Sequence, residues 1–320
     1  LEEGGETVYP AGCARTHSCA AARMVIEQEG HAGSVTVAGR IRQIRKHGGS
    51  TFVRLEDESG DIQLYFKKDT LGDERYTRFS DTIDLGDILE GSGELFITKT
   101  GETTVMVSLY TLLAKALLPL PDQWHGLADV EQRYRHRELD LIVNDDARRR
   151  FVVRSKLVSS LRRFLDERDF LEVETPMLQT IAGGAQARPF ITHHNALDAD
   201  LYLRIAPELY LKRLIIGGFE RIYEIGRIFR NEGIDFAHSP EFTMIELYWA
   251  YVQNKEHYIR FLEEMLRSAI VQAVGTLTIV DEHQSIDFSA EWPQVTFREA
   301  VLQETGIDID TLKNEQEVIG

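Results

Sequence analysis

Apolar and polar positions alternate with period two from Ser34. Val35, Val37 and Ile41 fall on one side, and Thr36, Arg40 and Arg42 on the other. Successive side chains of a strand point to opposite faces, so this pattern predicts a β-strand with one buried face. Runs over 51–55 and 61–67 repeat the alternation, and Asp57-Glu58-Ser59-Gly60 between them has turn chemistry, which predicts a hairpin. In that hairpin Val53, Leu55, Ile62, Leu64 and Phe66 are expected to point inward, leaving Phe52, Arg54, Gln63 and Tyr65 to face out. Further strand-like runs lie around 95–98 and 104–109. Short strands with tight turns in under about a hundred residues fit a small closed barrel, for which the oligonucleotide-binding (OB) fold is the common solution.

The period then changes. Leu118-Pro119-Leu120-Pro121 can continue neither a helix nor a central strand, so a domain junction is expected there. Asn144-Asp145-Asp146 supplies N-cap candidates, and Leu157, Val158, Leu161, Phe164 and Leu165 recur at helical spacing up to a stop near Asp169. A strand over 170–173 precedes Pro176, followed by a glycine turn at Gly183-Gly184 and a helical segment over 207–216. A strand pair over 222–230 and 242–251 comes next, then a helix from about Asn254. The expected fold is α+β. It comprises an N-terminal extension over 1–33, read as helical, an OB-fold barrel over 34–117, a linker over 118–146, and a domain built on an antiparallel sheet over 147–320.

Composition adds limits. With 320 residues and 43% hydrophobic content, the chain can bury two cores. No run approaches the roughly 18 apolar residues of a membrane span. The beginning has neither a basic region nor an apolar signal core, so a cytoplasmic location is expected. Leu1 in place of Met, and a last segment that runs unbroken through Lys313, Asn314 and Glu315 to Gly320, read as an internal fragment. Cys13 and Cys19 flank His17, but two thiols and one imidazole are too few for a structural zinc site, and reduced thiols are expected. The formal net charge of −16 governs long-range steering rather than the composition of one face. On the barrel, Arg40, Arg42, Arg45 and Lys46 form a local basic stripe beside Phe52 and Gln63. An outward aromatic can stack an unpaired base, while Gln and Arg can read base edges. The same residues also fit a solvated barrel edge.

Arg227-Ile228-Phe229-Arg230-Asn231-Glu232-Gly233 leads through a loop to His238-Ser239-Pro240-Glu241-Phe242 and on to Glu246-Leu247-Tyr248. Two antiparallel strands would place Arg230 and Glu232 on one face of the first, and Phe242, Glu246 and Tyr248 on one face of the second. The guanidinium fork of Arg230 suits a phosphate or a carboxylate. Glu246, between Ile245 and Leu247, calls for a wet face or a cationic partner. An ordinary ion pair between Arg230 and Glu246 fits the pattern equally.

The run Phe170-Leu171-Glu172-Val173-Glu174-Thr175-Pro176 resembles motif 1 of the class II aminoacyl-tRNA synthetases, and the stretch from Phe229 to Glu246 resembles their motif 2. Four further pieces resemble the lysyl-tRNA synthetases of the bacterial type. They are Gly183-Gly184-Ala185 with Ala187-Arg188-Pro189-Phe190, Thr192-His193-His194-Asn195, the run from Arg204 through Pro207-Glu208 to Lys212, and Val37-Ala38-Gly39-Arg40. The likeness runs from Tyr9 to about Tyr251 and thins at Val252-Gln253-Asn254-Lys255.

This resemblance implies ATP-dependent activation of lysine and its transfer to tRNA(Lys). Arg230 would be the catalytic residue, binding the α-phosphate of ATP and the lysine carboxylate. Glu232 and His238 would hold ATP, and Phe242 would stack on its adenine. Gly184, Glu208, Glu246 and Tyr248 would take the lysine, and Arg45, Phe52, Gln63 and Glu102 the anticodon. It further implies a homodimer through motif 1 and Mg2+ held by residues beyond Gly320, where the third motif is also expected. The 320 residues alone are therefore expected to be inactive, and a non-catalytic tRNA-binding module is the competing reading. An aspartyl or asparaginyl enzyme would need a cationic pocket, for which Glu246 has the wrong sign. A paralogue that lysylates an elongation factor would lack the barrel.

Overall fold

The computed structural model describes residues 9–29, 33–121, 127–280 and 284–311. The chain divides into two compact units, Leu1–Asp145 and Asp146–Gly320.

In the first unit, α1 (Cys19–Glu29) precedes β1 (Ser34–His47), β2 (Ser50–Asp57) and β3 (Gly60–Lys67). Two short helices follow, α2 (Lys68–Leu71) and α3 (Asp73–Thr82), then β4 (Ile88–Ile97) and β5 (Thr103–Ala114). The strands close into a barrel in the order β1-β2-β3-β5-β4. β3 and β5 run parallel, and the other neighbouring strands antiparallel. The expected inward set, Val53, Leu55, Ile62, Leu64 and Phe66, is buried in one core with Val35, Val37 and Ile41. A register shift between Ile41 and Gln43 makes Arg42 an extra residue, so Ile44 rather than Gln43 packs against that core and Arg45 turns outward.

Several expectations change here. β4 and β5 are longer than the runs at 95–98 and 104–109. The helices between β3 and β4, absent from the strand pattern, place Leu71, Tyr76 and Phe79 in the core, where Phe79 stacks on Phe66 at 3.9 Å. Gln63, expected to face out, is 7% exposed because its amide Nε2 donates to the Thr104 hydroxyl at 2.9 Å. The extension is helical only over Cys19–Glu29, and residues 1–8 and 30–32 lie outside the described residues. The segment expected to be a plain linker contains α4 (Val130–Arg135) and α5 (Arg137–Val143), joined by the buried Asp140, which accepts from Arg133 at 2.7 Å and also pairs with Arg137. Asn144, read as an N-cap candidate, follows α5 as its C-cap and donates to Asp140 at 2.7 Å.

The second unit opens on α6 (Asp145–Asp166), whose Leu161, Phe164 and Leu165 are buried as the periodicity predicts. Asp169 ends the turn with φ 63°. β6 (Leu171–Glu172) follows, then β7 (Leu178–Gln179), β8 (Ile191–His194), β9 (Ala199–Leu203) and α7 (Glu208–Ile216). The strand pair is β10 (Arg221–Phe229) and β11 (Glu241–Trp249), and α8 (Lys255–Val274) is capped by the Asn254 side chain. The main described sheet has the order β11-β10-β6, with β10 and β11 antiparallel and β6 parallel to β10. Tyr223, Ile225, Ile245, Leu247 and Trp249 pack with Phe164, Phe170, Phe261 and Met265 into one core. The opposite face of β10 and β11 is left for polar chemistry. Beyond the sequence expectations lie β12 (Thr278–Val280), β13 (Ser285–Asp287) and α9 (Phe297–Thr305), whose Thr296 and Glu299 form a reciprocal capping box.

Candidate functional site

Strand parity decides which side chains meet. In the β10–β11 register, Glu224 lies opposite Glu246, Gly226 opposite Met244 and Ile228 opposite Phe242, so these side chains share the face away from the aromatic core. Glu208 comes to the same site from the first turn of α7, where its side chain also pairs with Lys212. Gly184 has φ 88°, and a Cβ there would sit 3.0 Å from the Glu208 Cβ and 3.1 Å from the Ala206 Cβ, so glycine keeps this wall open. Gly184, Glu208, Glu246 and Tyr248 are thus brought together. The Tyr248 hydroxyl donates to Glu246 at 3.1 Å.

Three carboxylates meet here, of which Glu224 is paired with Arg204 and Glu208 with Lys212, so that Glu246 is the one without an ion-pair partner among the described residues. Burial holds the Glu246 carboxyl above the usual carboxylate range; the Tyr248 hydrogen bond opposes that shift, and the carboxylates of Glu208 and Glu224 reinforce it. Burial and the Glu246 charge keep the Tyr248 phenol neutral far into alkaline pH. No ion pair joins Glu246 to Arg230 among the described residues, so the ordinary pair allowed by the sequence pattern is not formed.

Arg230 lies one residue past the end of β10, a correction to its placement on the strand face with Glu232. Its backbone N–H donates to the Pro240 carbonyl at 2.8 Å, tying together the two ends of the 231–240 loop. The guanidinium carbon sits 5.2 Å from the centroid of the Phe242 ring, and its buried Nε has no hydrogen-bond partner. A buried donor without an acceptor costs about 1–3 kcal/mol, which an incoming anion could recover. Glu232 bonds back to the Arg188 amide at 3.3 Å, and the Asn231 N–H donates to the Arg188 carbonyl at 2.8 Å. His238 is exposed in the loop, its Nδ1 2.8 Å from Asp235.

Sequence reasoning missed the support beneath the pocket. Arg204 and Glu224, 1% and 3% exposed, form a buried ion pair; Thr175 donates from its hydroxyl to Glu224 at 2.6 Å and accepts from Arg204 at 3.1 Å. The available signal was a glutamate between Tyr223 and Ile225 in an otherwise apolar run.

On the barrel, Arg45, Phe52, Gln63 and Glu102 line one concavity of about 300 Å³ with His47, Thr98, Lys99 and Thr100. Phe52 stacks on Tyr65 at 4.5 Å, and Arg45 is its partner on β1. The rest of the basic stripe is engaged elsewhere. Arg40 bonds the Gly86 carbonyl at 2.7 Å, Arg42 pairs with Glu56 at 3.0 Å, and Lys46 donates to Ser80 at 2.8 Å. Of the four, Arg42 has its charge balanced by a carboxylate, whereas Arg40 and Lys46 bond neutral oxygens and Arg45 lines the concavity.

Among the described residues no cluster of three His, Cys, Asp or Glu side chains could hold a metal, and no helix is long and apolar enough to cross a membrane.

Residues 35–113 match the OB-fold nucleic acid binding domain family, and residues 129–319 the family of class II tRNA synthetases (D, K and N). A protein of Roseiflexus castenholzii named lysine–tRNA ligase is 51% identical over 311 residues, 97% of this chain and 63% of the relative. One of the same name from Bacillus subtilis is 52% identical over 283 residues, 88% of this chain and 56% of the relative. One from Moorella thermoacetica is 48% identical over 315 residues. The chain thus spans less than two thirds of the length of these relatives. The match to the synthetase family covers more than half of the chain and contains the whole β10–β11 site, and the chain belongs to the class II tRNA synthetases of the D, K and N group.

Proposed function

We propose that this chain carries the amino-acid pocket and the anticodon-binding barrel of a lysine–tRNA ligase. One observation carries the reading: Glu246, half-buried on the site face with Tyr248, lies beside the carboxylates of Glu208 and Glu224 in a pocket whose shape depends on a glycine. Such a site favours a substrate bearing ammonium groups. Glu246 and Tyr248 would receive the ε-ammonium of lysine, Glu208 its α-amino group, and Gly184 would leave room for its backbone. The lysine carboxylate and the ATP α-phosphate would then meet at Arg230, whose guanidinium stabilises the charge that develops as one attacks the other. Phe242 would stack on adenine and Glu232 and His238 would hold ATP, with His238 moving from its bond to Asp235. Pyrophosphate leaves, and a terminal ribose hydroxyl of tRNA(Lys) takes the acyl group. Mg2+ is expected to be held by carboxylates outside these 320 residues, and no step here is routed through it.

Arg45, Phe52, Gln63 and Glu102 would hold the anticodon. The likeness of 170–176 to motif 1 supports a homodimer through this segment. A cytoplasmic location is in keeping with a reaction that uses ATP and tRNA. The 320 residues alone are expected to form no lysyl-adenylate, because the arginine for the γ-phosphate is expected beyond Gly320.

The test is lysine-dependent pyrophosphate exchange by the full-length protein. Glu246→Gln keeps the shape but removes the charge-assisted partner of the ammonium, at a cost of about 2–5 kcal/mol in lysine activation. Near-normal exchange by that variant would refute the pocket assignment.

A further inference from the structure

The buried pair beneath the pocket lies on the same face of the sheet as Glu246. Glu224 is the cross-strand neighbour of Glu246, and side chains so placed lie about 5 Å apart at Cβ. Arg204 enters from the residue after β9, and its guanidinium lies over Gly226, where any Cβ would collide with Nη2. Gly226 thus gives a fixed cation a place on the floor of a site that would bind a cation. Arg204 is anchored on three sides. Its Nε donates to the Arg227 carbonyl at 2.9 Å, its Nη1 to the Thr175 carbonyl at 3.2 Å and hydroxyl at 3.1 Å, and the same Nη1 pairs with Glu224. Glu224 accepts in addition from the Thr175 backbone at 3.2 Å and hydroxyl at 2.6 Å.

A guanidinium in this position repels an incoming ammonium and attracts the Glu246 carboxylate. Glu224 cancels that charge at its source. We propose that Glu224 is a positioning residue that sets amino-acid specificity: by holding and neutralising Arg204 over Gly226, it leaves Glu246 available to a cationic substrate side chain. This rests on the reading of the pocket as the lysine site. The pair cannot be treated as packing alone, since its charges lie on the face that carries Glu246, whereas the aromatic core lies on the other.

Glu224→Gln retains a carbonyl acceptor for Thr175 but exposes Glu246 to an unbalanced Arg204 charge. In lysine-dependent pyrophosphate exchange by the full-length protein, KM for lysine should rise about tenfold or more, with kcat within about threefold of the parent. Inhibition by norleucine, a neutral analogue of lysine, should stay unchanged. The double variant Arg204→Met/Glu224→Gln removes both charges and should recover most of the lost lysine affinity. If the single variant fails to fold in a thermal melt, the double variant alone decides. Parental KM in the single variant, an equally raised KM in both, a parallel loss of norleucine binding, or a double variant that does not fold would each overturn the proposal. Failure of the pocket reading looks different: the parent would lack lysine dependence, or Glu246→Gln would keep the parental KM.

Discussion

At Glu246, binding and stability pull in opposite directions. The free residue ionises near 4.5, and in the folded chain burial keeps its proton on to higher pH. Below 4.5 the carboxyl is neutral in both states and costs nothing. As pH rises through the raised folded value, the folded state must hold a charge that the unfolded state solvates, and stability falls. Glu246→Gln should therefore stabilise the ligand-free protein at pH 7.5, with little effect near pH 4. Paired thermal melts at the two pH values check this, and equal gains at both would remove the electrostatic explanation. On the barrel, Phe52 offers a ring already stacked on Tyr65. A ring that holds a base contributes about 1–3 kcal/mol. At constant salt, the barrel should prefer an anticodon stem-loop rich in U over a scrambled loop, and Phe52→Ala should erase most of that preference. Phosphate attraction alone binds both loops equally, so equal titrations with the parent would exclude base recognition.

At the scale of elements, closing five strands into a barrel demands sharp local bends, and bulges supply them. The β4–β5 register shifts between Ser92 and Gly93, and a Cβ on Gly93 would collide with the Met106 carbonyl on the neighbouring strand. Gly93→Ala should therefore destabilise the barrel by about 1–3 kcal/mol, as forced overpacking does. Gly12→Ala is the control, since nothing lies within 4 Å of that position and its φ is not in the left-handed region. Denaturant unfolding of the two variants should separate them, and equal midpoints would mean that the strands can part at Gly93 without loss. In the second unit, the single change of face between neighbours on β10 puts Tyr223 in the aromatic core and Glu224 beneath the pocket.

For the whole molecule, the two hydrophobic cores share no residue. A unit with its own core can fold by itself. Residues 1–145, expressed alone, should give a single cooperative melt and retain the RNA preference expected of Phe52. A product without a cooperative transition would show that the barrel depends on the rest of the chain. Separation of the cores also predicts that Gly93→Ala leaves lysine activation in the full-length protein intact, because its cost falls on the barrel.

Much of this architecture was legible in the order of residues, since strands and helices bury one face and so write their period into the chain. The inward set of the β2–β3 hairpin, the span of α6, the start of α8 near Asn254 and the pairing of β10 with β11 follow from period, turn chemistry and capping. Parity likewise put Phe242, Glu246 and Tyr248 on one face. Pattern could not reveal contacts between residues far apart in sequence. Gln63 sits at an outward position yet is buried by Thr104, Arg42 of the basic stripe is paired with Glu56, and Arg230 falls just beyond its strand. Only the tertiary structure set Arg204 over Gly226 and against Glu224, because a buried charge is stable only where a distant part of the chain brings it a partner.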